Sequence, residues 1–204
     1  MGGAFVRTSV LALGLTLTAA LPAAAAPTWL APVSLSKAPT AGSPGFSQVT
    51  SDGIGETFAA WIRNDGTNDR VQIAGHAPGA PWSAAVDLSD AGQNARTPSL
   101  SVSATGFGAV AWARSDGSKF RIQVSRRAPG GGFGPATTIS TAGIDSMSPV
   151  AAVDATGDVV VLWEDSTKAA LHARRFTASS NSWDATVDLA TGSSAQPIDS
   201  LALV

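Results

Sequence analysis

Residues 106–117 read GFGAVAWARSDG, an almost wholly apolar run that ends on Trp112, Ala113 and Arg114 and breaks into a Ser-Asp-Gly turn. A short run of this kind, bounded by glycines, is the pattern of a strand buried on both faces. The stretch is one copy of three. TFAAWIR, AVAWAR and VVVLWED align, so that Trp61, Trp112 and Trp163 are equivalent, and Gly55, Gly106 and Gly157 each lie six residues ahead of their tryptophan. Downstream, RVQIAGHAPG, RIQVSRRAPG and ALHARRFTAS form a second matching set, and WSAAVDLS, FGPATTIS and WDATVDLA a third, headed by Trp82, Phe133 and Trp183. Upstream, Pro44, Pro98, Pro149 and Pro197 open similar stretches.

Each unit of about fifty residues therefore reads as four strands. The first is short, as in PSLSV (98–102) and PVAAV (149–153), with proline at its start, where a missing N–H does no harm. The second is the apolar run into tryptophan. The third alternates, with Ile122 and Val124 on one side and Gln123 on the other, and His172 takes the glutamine's place in the third copy. The fourth opens on an aromatic. Gly-rich segments such as SATG and APGGG supply hairpin turns, and no window outside the N-terminus has helical periodicity. Helix-free four-stranded units of this length predict an all-β chain of β-propeller-type antiparallel blades. The expected blades run over about 44–90, 98–141 and 149–191. WLAPVSLS (29–36) matches the fourth-strand element and is assigned to a closing blade, and 197–204 starts a further one. Three blades do not close a ring, so further blades are expected from a longer chain or from another copy.

Residues 1–25 read as a signal peptide: one positive charge at Arg7, an apolar stretch over 9–20, and a small-residue Ala23-Ala24-Ala25 site. The expected mature protein, 26–204, is secreted, extracellular, and free of membrane once the signal is cleaved. The chain has no cysteine, so disulfides contribute nothing to it. Lys and Arg number 13 against 15 Asp and Glu, a net of −2 with no basic stripe, which speaks against nucleic acid as a partner. No cofactor, no metal site and no catalytic residue is expected. The two histidines sit at non-equivalent positions, Asp154 and Asp158 make only a weak oxygen cluster, and Glu56 and Glu164 fall at opposite ends of strands in blades two apart.

The repeat pattern resembles the secreted bacterial propellers of the sialidase-like and lectin-like kind, over essentially all of 29–204. The resemblance implies a sugar-related role and leaves the activity open. A sialidase would carry S-x-D-x-G-x-x-W boxes and a nucleophilic tyrosine. This chain has no tyrosine, and its Asp65-Gly66 and Asp116-Gly117 turns lack the following tryptophan. The expectation is a non-catalytic binding module for a glycan or an extracellular protein, with Trp61, Arg63, Trp112 and Arg114 as candidate ligand contacts. The alternatives are a propeller glycoside hydrolase whose active-site groups lie partly outside this chain, and a structural repeat region of a larger exported protein. Trp29, Trp82, Phe133, Trp163 and Trp183 are read as repeat aromatics that pack.

Overall fold

A computed structural model describes residues 31–36 and 44–191. The chain divides into two units, Met1–Val33 and Ser34–Val204. Of the first, only residues 31–33 are described, and they are irregular and exposed. The signal-peptide assignment, Trp29 and the 197–204 strand lie outside the described residues.

The second unit is all-β among its described residues, built as three antiparallel sheets. β1 (Gly45–Ser51), β2 (Thr57–Asn64), β3 (Asp69–His76) and β4 (Val86–Asp87) form the first sheet in chain order. β5 (Ala95–Val102), β6 (Gly108–Ser115), β7 (Phe120–Arg127) and β8 (Thr137–Thr138) form the second. β9 (Ser146–Val153), β10 (Val159–Asp165) and β11 (Ala170–Thr177) form the third, in which β12 (Ser182–Trp183) and β13 (Val187–Thr191) both pair with β11. These are propeller-type blades.

The repeat is tighter than its prolines suggest. Phe46, Thr97 and Ser148 each adopt a left-handed backbone, with φ of 52°, 47° and 50°, at bulges in β1, β5 and β9. Their constant spacing makes Ser47, rather than Pro44, the equivalent of Pro98 and Pro149. The two prolines lie inside their strands, not at the start. The bulge interrupts the ladder there, so a residue without an N–H leaves no hydrogen bond unmade. The fourth strands are shorter than their sequence pattern: only two residues of each pair in the first two blades, as suits an outer edge. The described part of the 29–36 element, residues 31–36, is irregular, although Leu35 packs on a cluster of Trp61, Ala74 and Ala85.

The core lies between blades. Phe58, Ala60, Ile62, Val71 and Ile73 of the first sheet meet Val110 and Trp112 of the second. Ala111, Ile122 and Val124 on the second sheet's other face meet Val161 and Trp163 of the third. Every second-strand tryptophan therefore faces the preceding element. Trp112 is fully buried, Trp163 is 1% exposed and Trp61 5% exposed. Polar links repeat with the same spacing. The Leu100 amide donates to Gln48 Oε1, and the Ala151 and Val153 amides donate to Ser99 and Ser101 Oγ. Asn94 Oδ1 accepts from the Asp69 amide, and its equivalent Asp145 from the Phe120 amide. Close backbone approach explains Gly53, whose N–H donates to Ala104 O across the interface and where a Cβ would lie 2.6 Å from that oxygen.

Candidate functional site

The hairpin ends are built for order. Asp116 Oδ1 accepts from the Ser118 and Lys119 amides and from the Ser118 hydroxyl. These bonds, led by the Lys119 amide, hold its carboxyl down at about 2. Asp65 is lowered in the same way by the Asn68 and Thr67 amides. Behind the turns, Arg70 spans Asp65 and the Ser89 carbonyl, and Arg121 binds the Ser140 carbonyl. Arg114 donates to the Asp90 and Ala91 carbonyls on the connection between the first two blades, 3.4 Å and 3.0 Å away. Arg63 lies half-buried at the end of β2, opposite Arg70. Trp61 and Trp112 donate their indole N–H to Gln72 and Gln123 at 3.1 Å and 3.2 Å. The four residues singled out from sequence thus sit within blades and their ties, and none of them is on the lining of the clefts described below.

A cleft of about 380 Å³ opens at the other ends of these strands, between the first and second blades. Phe58, Pro81, Val86 and Phe133 give it apolar walls, with Glu56 at its edge. Phe58 and Phe133 meet edge to face at 5.9 Å. Beside them Arg127, its side chain fully buried, pairs with Glu56 Oε2 at 3.1 Å, donates to Gly131 O and lies 4.3 Å over the Phe58 ring. Its remaining terminal nitrogen finds no partner among the described residues. The arrangement offers an aromatic wall for the C–H face of a ligand and the Glu56 carboxylate for its polar groups. Sequence reasoning weighed Glu56 only with Glu164, as a carboxylate pair, and did not take Arg127 as a site residue. Their pairing spans 71 residues, which no local pattern in the sequence records.

The corresponding space between the second and third blades is smaller, about 200 Å³, and cationic, with Arg126 and Arg127 on its lining. Arg126 lies 3.3 Å over the Phe176 ring, and burial lowers its pKa. The other repeat aromatics cover third-strand side chains: Trp82 on His76 at 5.3 Å and Trp183 on Phe176 at 5.5 Å. Glu56 and Glu164 lie in sheets two apart, Glu56 engaged by Arg127. Among the described residues, no group of three or more His, Asp or Glu is placed to hold a metal.

Antiparallel four-stranded blades packed through tryptophan-bearing second strands place the chain in the β-propeller class of fold. In keeping with that, the chain is similar in structure to the Hadza microbial sialidase Hz136, with a TM-score of 0.50 at 11% identity, over 69% of this chain and 36% of that one. The likeness is one of sialidase-like propeller fold, and the chain spans little more than a third of that protein's length. No protein-family model matches the sequence, and no curated protein does.

Proposed function

We propose that this protein is an exported, non-catalytic carbohydrate-binding propeller module, and that the cleft between its first two blades takes the sugar. The observation that carries this reading is the cleft itself. It has sugar-sized volume, a Phe58–Phe133 wall, and on its lining the Glu56 carboxylate, held in place by Arg127. Neutral sugars are bound by this combination of an apolar ring face and charge-assisted hydrogen bonds to hydroxyls. The sialidase-like fold of the structural neighbour is in keeping with a sugar ligand. Among the described residues Glu56 is the one carboxylate on its lining, whereas glycosidic cleavage uses two about 5–10 Å apart.

A glycan array probed with the purified chain tests the reading. Saturable binding that Phe133→Ala weakens is the expected result. Release of product from a chromogenic glycoside supports the hydrolase alternative instead, and an array with no binding favours a structural repeat. Export is tested separately, by recovering the chain outside the cell shortened by the first 25 residues.

A further inference from the structure

The two blade interfaces carry the same repeat positions with different chemistry. Glu56, Phe107 and Asp158 each follow the glycine that precedes a second strand, so they are equivalent. His76, Arg127 and Phe176 are equivalent in turn, each paired across the ladder with the residue two beyond that glycine. Between the first two blades these positions supply Glu56 and Arg127, which pair at 3.1 Å. Between the second and third they supply Phe107 and Phe176, which line the cleft of about 200 Å³. Asp158 is engaged elsewhere, pairing with Arg175 and accepting from the Ala178 amide. An ion pair at one interface is thus replaced by two aromatic rings at the next.

Arg126 lies over one of those rings. Its guanidinium carbon is 3.3 Å from the centre of Phe176, and the side chain is half-buried on the lining of the cleft. Among the described residues the guanidinium makes no hydrogen bond and no ion pair. Other arginines are not left in that condition. Arg70, Arg114, Arg121, Arg127, Arg174 and Arg175 each donate to a carboxylate or a carbonyl. Arg96, which also stacks on a ring without such a bond, is exposed to water. Burial without an opposing anion holds the Arg126 pKa below its ordinary value. Stacking on the ring offsets part of the lost hydration, but it leaves the N–H edge of the guanidinium unengaged by the protein.

The described lining offers that edge no carboxylate. Its polar side chains are Arg126, Arg127 and Asn181, and the rest is Phe107, Val159, Phe176 and small residues. The charge of Arg127 is met by Glu56, outside this lining, so Arg126 is the cation left unanswered. A guanidinium forks onto a carboxylate through two parallel N–H bonds, and one unanswered charge matches a monoanion better than a phosphate dianion. Two phenyl rings and Val159 give an apolar body its surface, whereas the hydroxyls of a sugar find little beyond Asn181. Phe107 is seated against Gly157, where a Cβ would come within 2.7 Å of the ring, so this wall is in place before a ligand arrives. We infer that the cleft between the second and third blades binds a carboxylate carried on a small apolar stem, with Arg126 as its counter-ion. The inference does not rest on the sugar-binding reading of the first cleft, since the two clefts share no lining residue.

Calorimetric titration with 3-methylbutanoate measures the affinity, and the amide resonances of Ala128, Gly157 and Ala178, all on the lining, locate the site. 3-Methylbutanamide has the same shape without the charge. It is expected to bind at least about tenfold more weakly, the share of one charge-assisted hydrogen bond. That comparison uses the parent chain, so it does not depend on any variant folding. Arg126→Gln is expected to lose the same factor toward the carboxylate and to bind the amide as the parent does. Arg126→Lys, which keeps the charge and loses the fork, is expected to fall between them. Arg96→Gln removes an exposed cation and is expected to leave binding unchanged. Inorganic phosphate and D-glucuronate are expected to bind more weakly than 3-methylbutanoate. The inference is overturned if the amide binds as tightly as the acid, or if no saturable shift reaches the lining amides. It is overturned equally if Arg96→Gln weakens binding as much as Arg126→Gln, or if phosphate or glucuronate binds more tightly. A glycan array without binding leaves each of these outcomes as it is.

Discussion

Whether the second-strand tryptophans pack or bind is decided by Trp112→Ala. The indole is fully exposed to neither solvent nor cleft: it is 0% accessible, wedged between Val71 and Ile73 of one blade and its own sheet. Burial of roughly 150–250 Å² at about 25 cal/mol per Å² sets an upper bound of about 4–6 kcal/mol. Truncations of buried aromatics cost about 3–5 kcal/mol, which is the expected loss here. The hydrogen bond to Gln123 adds little, because Gln123 is half-buried and water replaces the lost donor. Trp112→Phe, which keeps most of the volume, is therefore expected to cost only about 1–2 kcal/mol. Trp61→Ala provides an internal scale. Its neighbours are the small Ala74 and Ala85 and the half-buried Trp82, so roughly 2–3 kcal/mol is expected. Urea unfolding followed by far-ultraviolet circular dichroism reads all three, since the remaining tryptophans complicate fluorescence. An unchanged slope with a shifted midpoint identifies a stability effect. A loss below about 1 kcal/mol for Trp112→Ala refutes interblade packing as this residue's role.

Other expectations follow from the same contacts. Gly157→Ala places a Cβ 2.7 Å from the Phe107 ring at a φ of +90°, so it is expected to cost about 1–3 kcal/mol by the same unfolding assay. Glu56→Ala strands the buried Arg127 guanidinium. Because Glu56 itself is a quarter exposed, the loss is expected near 2–3 kcal/mol, below that of a fully buried pair, and Glu56→Gln should recover part of it. Asp116 is depressed from its ordinary 3.8 to about 2, so its contribution to the 115–120 turn is complete above about pH 4 and is lost as pH falls through 2. A carboxyl-carbon titration midpoint near 2, with Ser118 and Lys119 amide protection failing over the same range, is the expected record. A midpoint near 4 contradicts the turn geometry.

The blade architecture was legible because it is written three times. Tryptophan, the glycine six residues before it and the alternating third strand each serve a contact that every blade must make, so each recurs. The bulge was not legible. Proline marks it in the second and third copies, but Ser47 holds the place in the first, and Pro44 sits three residues early as a decoy. A left-handed residue at Phe46, Thr97 and Ser148 has no common side chain, because the backbone requirement is met by the interrupted ladder rather than by residue type. The cleft between the first two blades was hidden for a different reason. At its edge Glu56 is held by Arg127 of the next blade, and no local pattern records a pairing of that span.

Asp165 joins both lessons. In the aligned sequence it stands where Arg63 and Arg114 stand, which makes it look like a reversed charge at a functional position. The ladder gives another account. Trp61 and Trp112 pair with residues eleven further on, whereas Trp163 pairs with His172, nine further on, so the third hairpin is two residues shorter. Shortening brings the turn up to the tryptophan-plus-two position, and Asp165 takes over the task of Asp65 and Asp116, accepting the two turn amides. One of its oxygens is explained by that task. The other lies 3.6 Å from His172 Nε2 within the blade, where the first two copies pair the tryptophan with a glutamine. A hairpin shortened for turn geometry alone would be served by an asparagine, which accepts the same amides without burying a charge. The buried carboxylate, arriving together with His172, is therefore accounted for by what it faces rather than by the turn it closes.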